Sequence, residues 1–246
     1  VDRTLFLAGV SGVIGRRLAP LLAAEGWRVV GMTRSREKAA GLRALGIEAV
    51  IVDVFDALSL TAAVAEAEPE VIVHQLTDLP PVLDPARMVE ATARNARIRD
   101  EGTRNLVQAA VGARARRFIA QSIAFAYAEG PTPHDEGDAL AVAAEGRAGV
   151  SARGVASLEA QTLAAPFDGA VLRYGRLYGP GTGFESPAGA APLHVDAAAK
   201  AVLLVLAHGA RGIFNIAEDD GAVSSEKAKQ ELHWSATWRS TLEAQH

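Results

Sequence analysis

Thr4-Leu5-Phe6-Leu7-Ala8-Gly9-Val10-Ser11-Gly12-Val13-Ile14-Gly15 decides the fold. A short apolar run ends at a glycine, two more glycines follow at three-residue spacing, and an amphipathic stretch from Ile14 to Ala24 opens behind them. Strand, G-x-x-G-x-x-G turn and helix in that order let a backbone wrap a phosphate. Gly9 permits the tight turn. Gly12 removes a side chain where a pyrophosphate approaches the main chain, and Gly15 lets the helix pack on the strand. Free N–H groups at a helix start favour an anion. Gly9, Ser11, Gly12, Val13, Ile14 and Gly15 are therefore expected to hold a dinucleotide. The residues from Val1 to Gly9 read as a strand and not as a signal peptide.

The next strand, Trp27 to Met32, runs into Thr33-Arg34-Ser35-Arg36. An acid at this point would hold a ribose 2′-hydroxyl, and none is present. Arginine grips a 2′-phosphate by charge-assisted, often bidentate bonds. Arg34, Ser35 and Arg36 therefore predict NADP(H) over NAD(H), although Arg36 also suits a solvated helix start. Asp53-Val54 follows a third strand, Ala49 to Val52. Asp53 either accepts from the adenine amino group or caps the next helix.

Further apolar runs lie at Val71–His74, Arg117–Gln121 and Ala170–Arg173. Helical patterns separate them at Arg36–Leu45, Leu58–Ala67, within Met88–Ala113 and at Val155–Ala164. Short β-rich runs alternating with helices predict an α/β fold, a doubly wound parallel sheet of Rossmann type with a small C-terminal substrate-binding part. We expect one domain over residues 1–246, with substrate-binding elements at about 129–149 and 178–246. Glycine and proline make 129–149 and the stretch after Tyr178 loop-like, on the side where such sheets bind ligands.

The net charge of −4 argues against a broad grip on nucleic acid or on an anionic membrane. The chain has no cysteine, which excludes disulfides and thiolate metal sites. No apolar run approaches the ~20 residues that span a bilayer, and a cytoplasmic location fits. Only four of the 25 basic residues are lysine, and alanine abounds, as in proteins of high-GC genomes. His134-Asp135-Glu136 is read as loop solvation, and no metal is expected.

Several segments resemble the extended short-chain dehydrogenase/reductase family, the NAD-dependent epimerase/dehydratase group. Val71-Ile72-Val73-His74-Gln75-Leu76 is similar to its fourth-strand segment, and Gly102 to Ala110 to its G-T-x-N-L-L-x-A-A helix. Leu172 to Gly181 resembles the strand that passes under the nicotinamide. His194-Val195-Asp196 matches a late helix start that serves the scaffold. Phe214–Ala217 and Leu232–Trp234 resemble a closing strand and small helix. The resemblance implies that Gln75, Leu76, Thr77 and Gln121 lie along the cofactor, with Tyr174, Gly175 and Leu177 on the nicotinamide side. Between Thr182 and Leu193 the chain is shorter than the family, so the substrate cap is small or a segment is missing.

The family's chemistry uses Ser, Tyr and Lys, the last two spaced Y-x-x-x-K. The resemblance puts Ile123 at the serine position, Arg153 at the tyrosine and Ser157 at the lysine; Arg99 stands for an expected asparagine. Arginine is no general acid at neutral pH, because its pKa exceeds about 12. Ser122, Tyr127 and Arg153 remain as candidate hydrogen-bond donors to a reacting oxygen. The expected activity is NADPH-dependent reduction of a ketone on a bulky aromatic or polyketide-type small molecule, without the tyrosine acid. A phenol or enol beside the ketone can supply the proton itself. A non-catalytic NADP(H)-binding redox regulator is the alternative. A sugar epimerase or dehydratase is the third reading, weakened by the missing base.

Overall fold

The computed structural model describes residues 3–79 and 87–241. Val1 and Asp2, read above as part of the first strand, lie outside them, as do the last five residues of the proposed substrate part.

β1 (Thr4–Ala8), β2 (Arg28–Thr33), β3 (Glu48–Ile51), β4 (Val71–His74), β5 (Arg117–Ile123), β6 (Asp168–Tyr174) and β9 (Gly212–Ile216) form one sheet. Its order is β3-β2-β1-β4-β5-β6-β9, with every pair parallel. This is the expected doubly wound α/β sheet. The strand order reverses between β1 and β4, where such sheets open a crevice at their C-terminal ends. A separate two-stranded ribbon, β7 (Arg176–Tyr178) with β8 (Pro192–His194), was not evident from the sequence.

The alternation along β1 shows how the layers are made. Leu5 and Leu7 face one core, shared with α1 (Val13–Ala24), α2 (Arg36–Ala44), α7 (Val195–His208) and α8 (Glu226–Leu232). Phe6 and Ala8 face the other, shared with α3 (Ala57–Ala67), α5 (Thr103–Gly112) and α6 (Gly146–Ala164). Successive strand side chains point to opposite faces, so two-sided burial demands a nearly unbroken apolar strand. Ser35 caps α2 by accepting from the Lys38 N–H at 3.2 Å, and Asp56 caps α3 through Ser59 at 3.1 Å.

Two helices differ from their expected form. The pattern within Met88–Ala113 is α4 (Met88–Arg97), a π-helical turn at Ile98–Gly102 and then α5. α6 starts at Gly146, nine residues before the expected Val155, inside a stretch read as loop. Its extra turns bury Ala152 against Ile123 and Ala126. Gly149 is needed there because its backbone runs against Ala144, where a Cβ would stand 2.7 Å from the carbonyl carbon. No helix among the described residues is long and apolar enough to cross a membrane.

Candidate functional site

A cleft of about 960 Å³ runs along the C-terminal ends of the central strands. It begins where β1 ends. Gly9, Ser11, Gly12, Val13 and Ile14 line it. Gly9 has φ +94° and passes so close to β4 that a Cβ would lie 2.7 Å from the Gln75 carbonyl oxygen. Gly15 lies beneath the turn, where a Cβ would stand 2.6 Å from the Val10 carbonyl oxygen. No side chain caps α1, and its first turn carries no acid. Its leading N–H groups therefore present partial positive charge to the cleft.

Beyond β2 the lining includes Arg34 and Ser35, and also Met32, Thr33 and Lys38, which sequence reasoning did not single out. Lys38 is one helical turn on from Arg34, so the two cations share this end. Arg36 is not among the lining residues. Beyond β3, Val54 and Phe55 line the cleft. Asp53 is not among the lining residues and accepts from the Phe55 N–H at 3.0 Å, while the capping acid of α3 is Asp56.

Gln75, Leu76 and Thr77 line the cleft after β4. Gln75 is buried, yet its Oε1 has no hydrogen-bond partner. A buried amide oxygen without a donor is costly, and a bound ligand relieves it. His74 Nδ1 accepts from the Leu76 N–H at 3.2 Å, leaving Nε2 to bond Thr103 Oγ1 at 3.2 Å. Burial, aided by the charge of Arg99, pushes the His74 pKa down to about 3. The ring is thus neutral and pins the bend at Leu76.

At the far end, Gln121 and Ile123 of β5 line the cleft with Tyr174, Gly175, Arg176 and Leu177. The Tyr174 hydroxyl donates to the Ala198 carbonyl at 3.2 Å, and burial pushes its pKa up. Phe125, Phe184 and the glycine-rich stretches 181–183 and 188–190 complete this wall. The short segment after Tyr178 is therefore part of the cleft.

The remaining candidates lie elsewhere. Ser122 is fully buried and donates to Glu159 Oε1 at 2.9 Å. The Tyr127 hydroxyl donates to Asn215 Oδ1 at 2.6 Å and accepts from Arg173 at 2.8 Å. Its ring stacks on His134, whose Nδ1 meets Asp138 at 2.8 Å. Glu136 accepts from the Asn215 N–H at 2.7 Å. The exposed Arg153 donates to the Val142 carbonyl at 2.8 Å. Ser157 donates to Asp100 at 2.6 Å and accepts from Gln161 at 2.9 Å. None of Ser122, Tyr127, Arg153 and Ser157 lines the cleft. Arg99, on the π-helical turn, bonds Ser151 at 3.1 Å, and burial lowers its pKa to about 10. Asp196 pairs with Arg17 at 2.8 Å and locks α7 to α1, a scaffold task.

These features fit a dinucleotide. The glycine turn lies between the Arg34 end and the Gly175 end. The four strand steps between β2 and β6 span about 19 Å at ~4.8 Å each. The uncapped helix start suits the pyrophosphate, the Arg34 and Lys38 end suits the adenosine side, and the β5–β6 end suits the nicotinamide.

Known proteins agree. Residues 9–160 match the model of an NAD(P)H-binding family. A 3-diazoavenalumate denitrifying reductase from a Streptomyces species is 37% identical over 243 residues, covering 90% of this chain and 78% of that protein. Among solved structures, UDP-glucose 4-epimerase of Thermotoga maritima with UDP-glucose superposes with a TM-score of 0.76 at 18% identity, over 95% of this chain and 94% of that one. The dTDP-glucose 4,6-dehydratase of Streptomyces venezuelae with NAD also gives 0.76 at 18% identity, over 96% and 92%. These two share the fold. The chain belongs to the NAD(P)H-binding family.

Proposed function

We propose that this protein is an NADPH-dependent reductase that removes nitrogen from an aromatic diazo compound. The observation that carries the reading is the lack of a free acid at the reactive end of the cleft. Among the described residues lining that end, the ionisable side chains are Tyr174 and Arg176. Tyr174 points its hydroxyl at α7 and is held neutral by burial. Arg176 carries a guanidinium, which donates hydrogen bonds and accepts none. Thr182 donates within its own loop, to Gly179 and Phe184.

When bound, the reduced cofactor supplies a hydride, and an aryl diazonium ion plus hydride balances as arene plus N₂, with no proton drawn from the protein. A ketone taking the same hydride needs a proton as well. The similarity to a reductase whose name describes removal of nitrogen from a diazo carboxylate supports the same choice. The chain's own residues then bind, orient and exclude water. Gly12 and the α1 N-terminus hold the phosphates, and Gln75 offers its unpartnered oxygen. Arg34 and Lys38 favour NADPH over NADH. The arrangement at Gly175 and Ile123 gives the substrate a close approach without a side chain that reacts.

A hydroxy-aryl ketone that carries its own proton is the second reading, because it too removes the need for a protein acid. An epimerase needs a base to begin, and a redox regulator needs no substrate wall. The test is direct. The protein should consume NADPH with a diazo-aryl carboxylate, release N₂ and place deuterium from labelled cofactor on the ring. Cofactor oxidation only with hydroxy-aryl ketones would select the second reading. No oxidation with either class would remove both.

A further inference from the structure

Arg176 is a cation in a place the cofactor does not need. The charged groups of a dinucleotide are accounted for by the glycine turn, Arg34 and Lys38, which lie at the middle and the far end of the cleft. Arg176 follows β6, four strands from β2 and about 19 Å away by strand spacing. Among the described residues no carboxylate pairs with it. Among the described residues the acid lining the cleft is Asp78, which pairs with Arg94 at 3.1 Å.

Its position is prepared. The Arg176 N–H donates to the Ala191 carbonyl at 2.7 Å, fixing the backbone at the start of β7. The guanidinium carbon sits 4.3 Å above the centre of the Phe125 ring. Gly189 passes under the side chain, where a Cβ would come within 3.1 Å of Arg176 Cδ. The residue is exposed, with its guanidinium stacked on Phe125, its stem beside Gly189, and its side chain lining the cleft. Stacking occupies the face of the guanidinium and leaves its edge N–H groups for a planar anion. The Phe125 ring is 41% exposed, and Phe184, which lines the same wall of the cleft, is 42% exposed. Phe184 is held by its N–H to Thr182 Oγ1 at 3.1 Å and its carbonyl to the Gly179 N–H at 2.8 Å.

We infer that Arg176 anchors the carboxylate of a flat, conjugated aromatic acid whose ring lies along Phe125 and Phe184. This rests on the substrate class proposed above and adds its direction of entry. A guanidinium attracts a carboxylate and repels a diazonium, so the acid end settles on Arg176 and the electrophilic end points down to Gly175 and Ile123. Apolar walls with one charged group fix orientation in just this way.

The inference can be tested without the diazo chemistry. Binding of 4-hydroxycinnamate and of its methyl ester is measured by calorimetry on protein saturated with NADP⁺. The acid should bind more tightly than the ester by about 10- to 100-fold, the range for a hydrogen bond to a charged group. Arg176→Gln should erase that preference while leaving NADPH affinity and the melting temperature unchanged. Arg176→Lys should retain part of it, because the charge stays and the planar fork goes. Phe125→Ala should weaken acid and ester alike. Equal binding of acid and ester by the unaltered protein overturns the inference. So does a preference that survives Arg176→Gln, or a loss of NADPH binding in that variant. Release of N₂ is scored separately, so an acid preference without N₂ rejects the diazo reading and keeps the anchor.

Discussion

Arg173 and Glu159 meet as a two-pronged pair in the interior, with Nε to Oε1 at 2.8 Å and Nη2 to Oε2 at 2.7 Å. Their side chains are 3% and 6% exposed. The pair joins β6 to α6 and also gathers Ser122 and Tyr127. Removing one partner leaves a buried charge alone. Glu159→Leu or Arg173→Met should each cost about 3–5 kcal/mol of unfolding free energy in urea. The double change should cost less than either single one, since both charges leave together. Strictly additive losses would show that the two residues do not act as a pair.

The proposed preference for NADPH rests on the β2 end. Arg34→Ala should weaken NADPH by about 1.5–3 kcal/mol, or roughly 10- to 100-fold, and leave NADH nearly untouched. Lys38→Ala should add to this in the same direction, because both residues line the cleft there. Fluorescence titration with the two cofactors reads the difference. Equal weakening of both would take the 2′-phosphate away from Arg34.

Two glycines of the turn should fail differently. At Gly12 the backbone is ordinary, and a Cβ meets only the Gly9 carbonyl oxygen at 3.2 Å. Gly12→Ala should fold with nearly native stability but bind NADPH and NADH equally poorly. Gly15→Ala drives a methyl into the Val10 carbonyl and should lower the melting temperature sharply. A Gly12→Ala variant that binds cofactor normally would move the pyrophosphate off this turn.

His74 makes stability fall in mild acid. Its folded pKa of about 3 lies below the ordinary 6.5 because burial opposes the charged ring. The unfolded chain therefore binds the extra proton between these values. The contribution is complete above 6.5 and is lost as the pH falls from there toward 3, by at most about 1.4 kcal/mol per pH unit. His74→Leu should be less stable near neutrality yet show a flatter slope below about pH 6.5 in urea titrations. An unchanged slope would mean that other groups set the acid limb.

Much of the cofactor half was legible because its signals are local. A short apolar strand with three glycines, and then the missing acid at Thr33–Arg36, are each read from a few neighbouring residues. The substrate half was not, because β5, β6, the ribbon and residues 181–190 meet only in the folded chain. Three-residue strands such as β7 and β8 carry no periodicity to read. The π-helical turn adds one residue to a helical pattern and leaves its apolar spacing almost unchanged. One signal could have been used earlier. Strand alternation puts Ser122 on the face opposite Gln121 and Ile123, away from the cleft. Arg176 had a signal too, as a charge in the strand expected under the nicotinamide.

The knot formed by Asp100, Ser157 and Gln161 has a consequence for charge on this face of α6. Ser157 Oγ sits on the Asp100 carboxylate, which its hydrogen bond holds below the usual carboxylate range, and Gln161 closes the knot from the next turn of α6. Ser157→Lys would place an ammonium beside that acid, and the two would pair short of the cleft. The turn at Ile98–Gly102 thus acts as a sink for any cation brought to this face of α6 and keeps it from the reacting end.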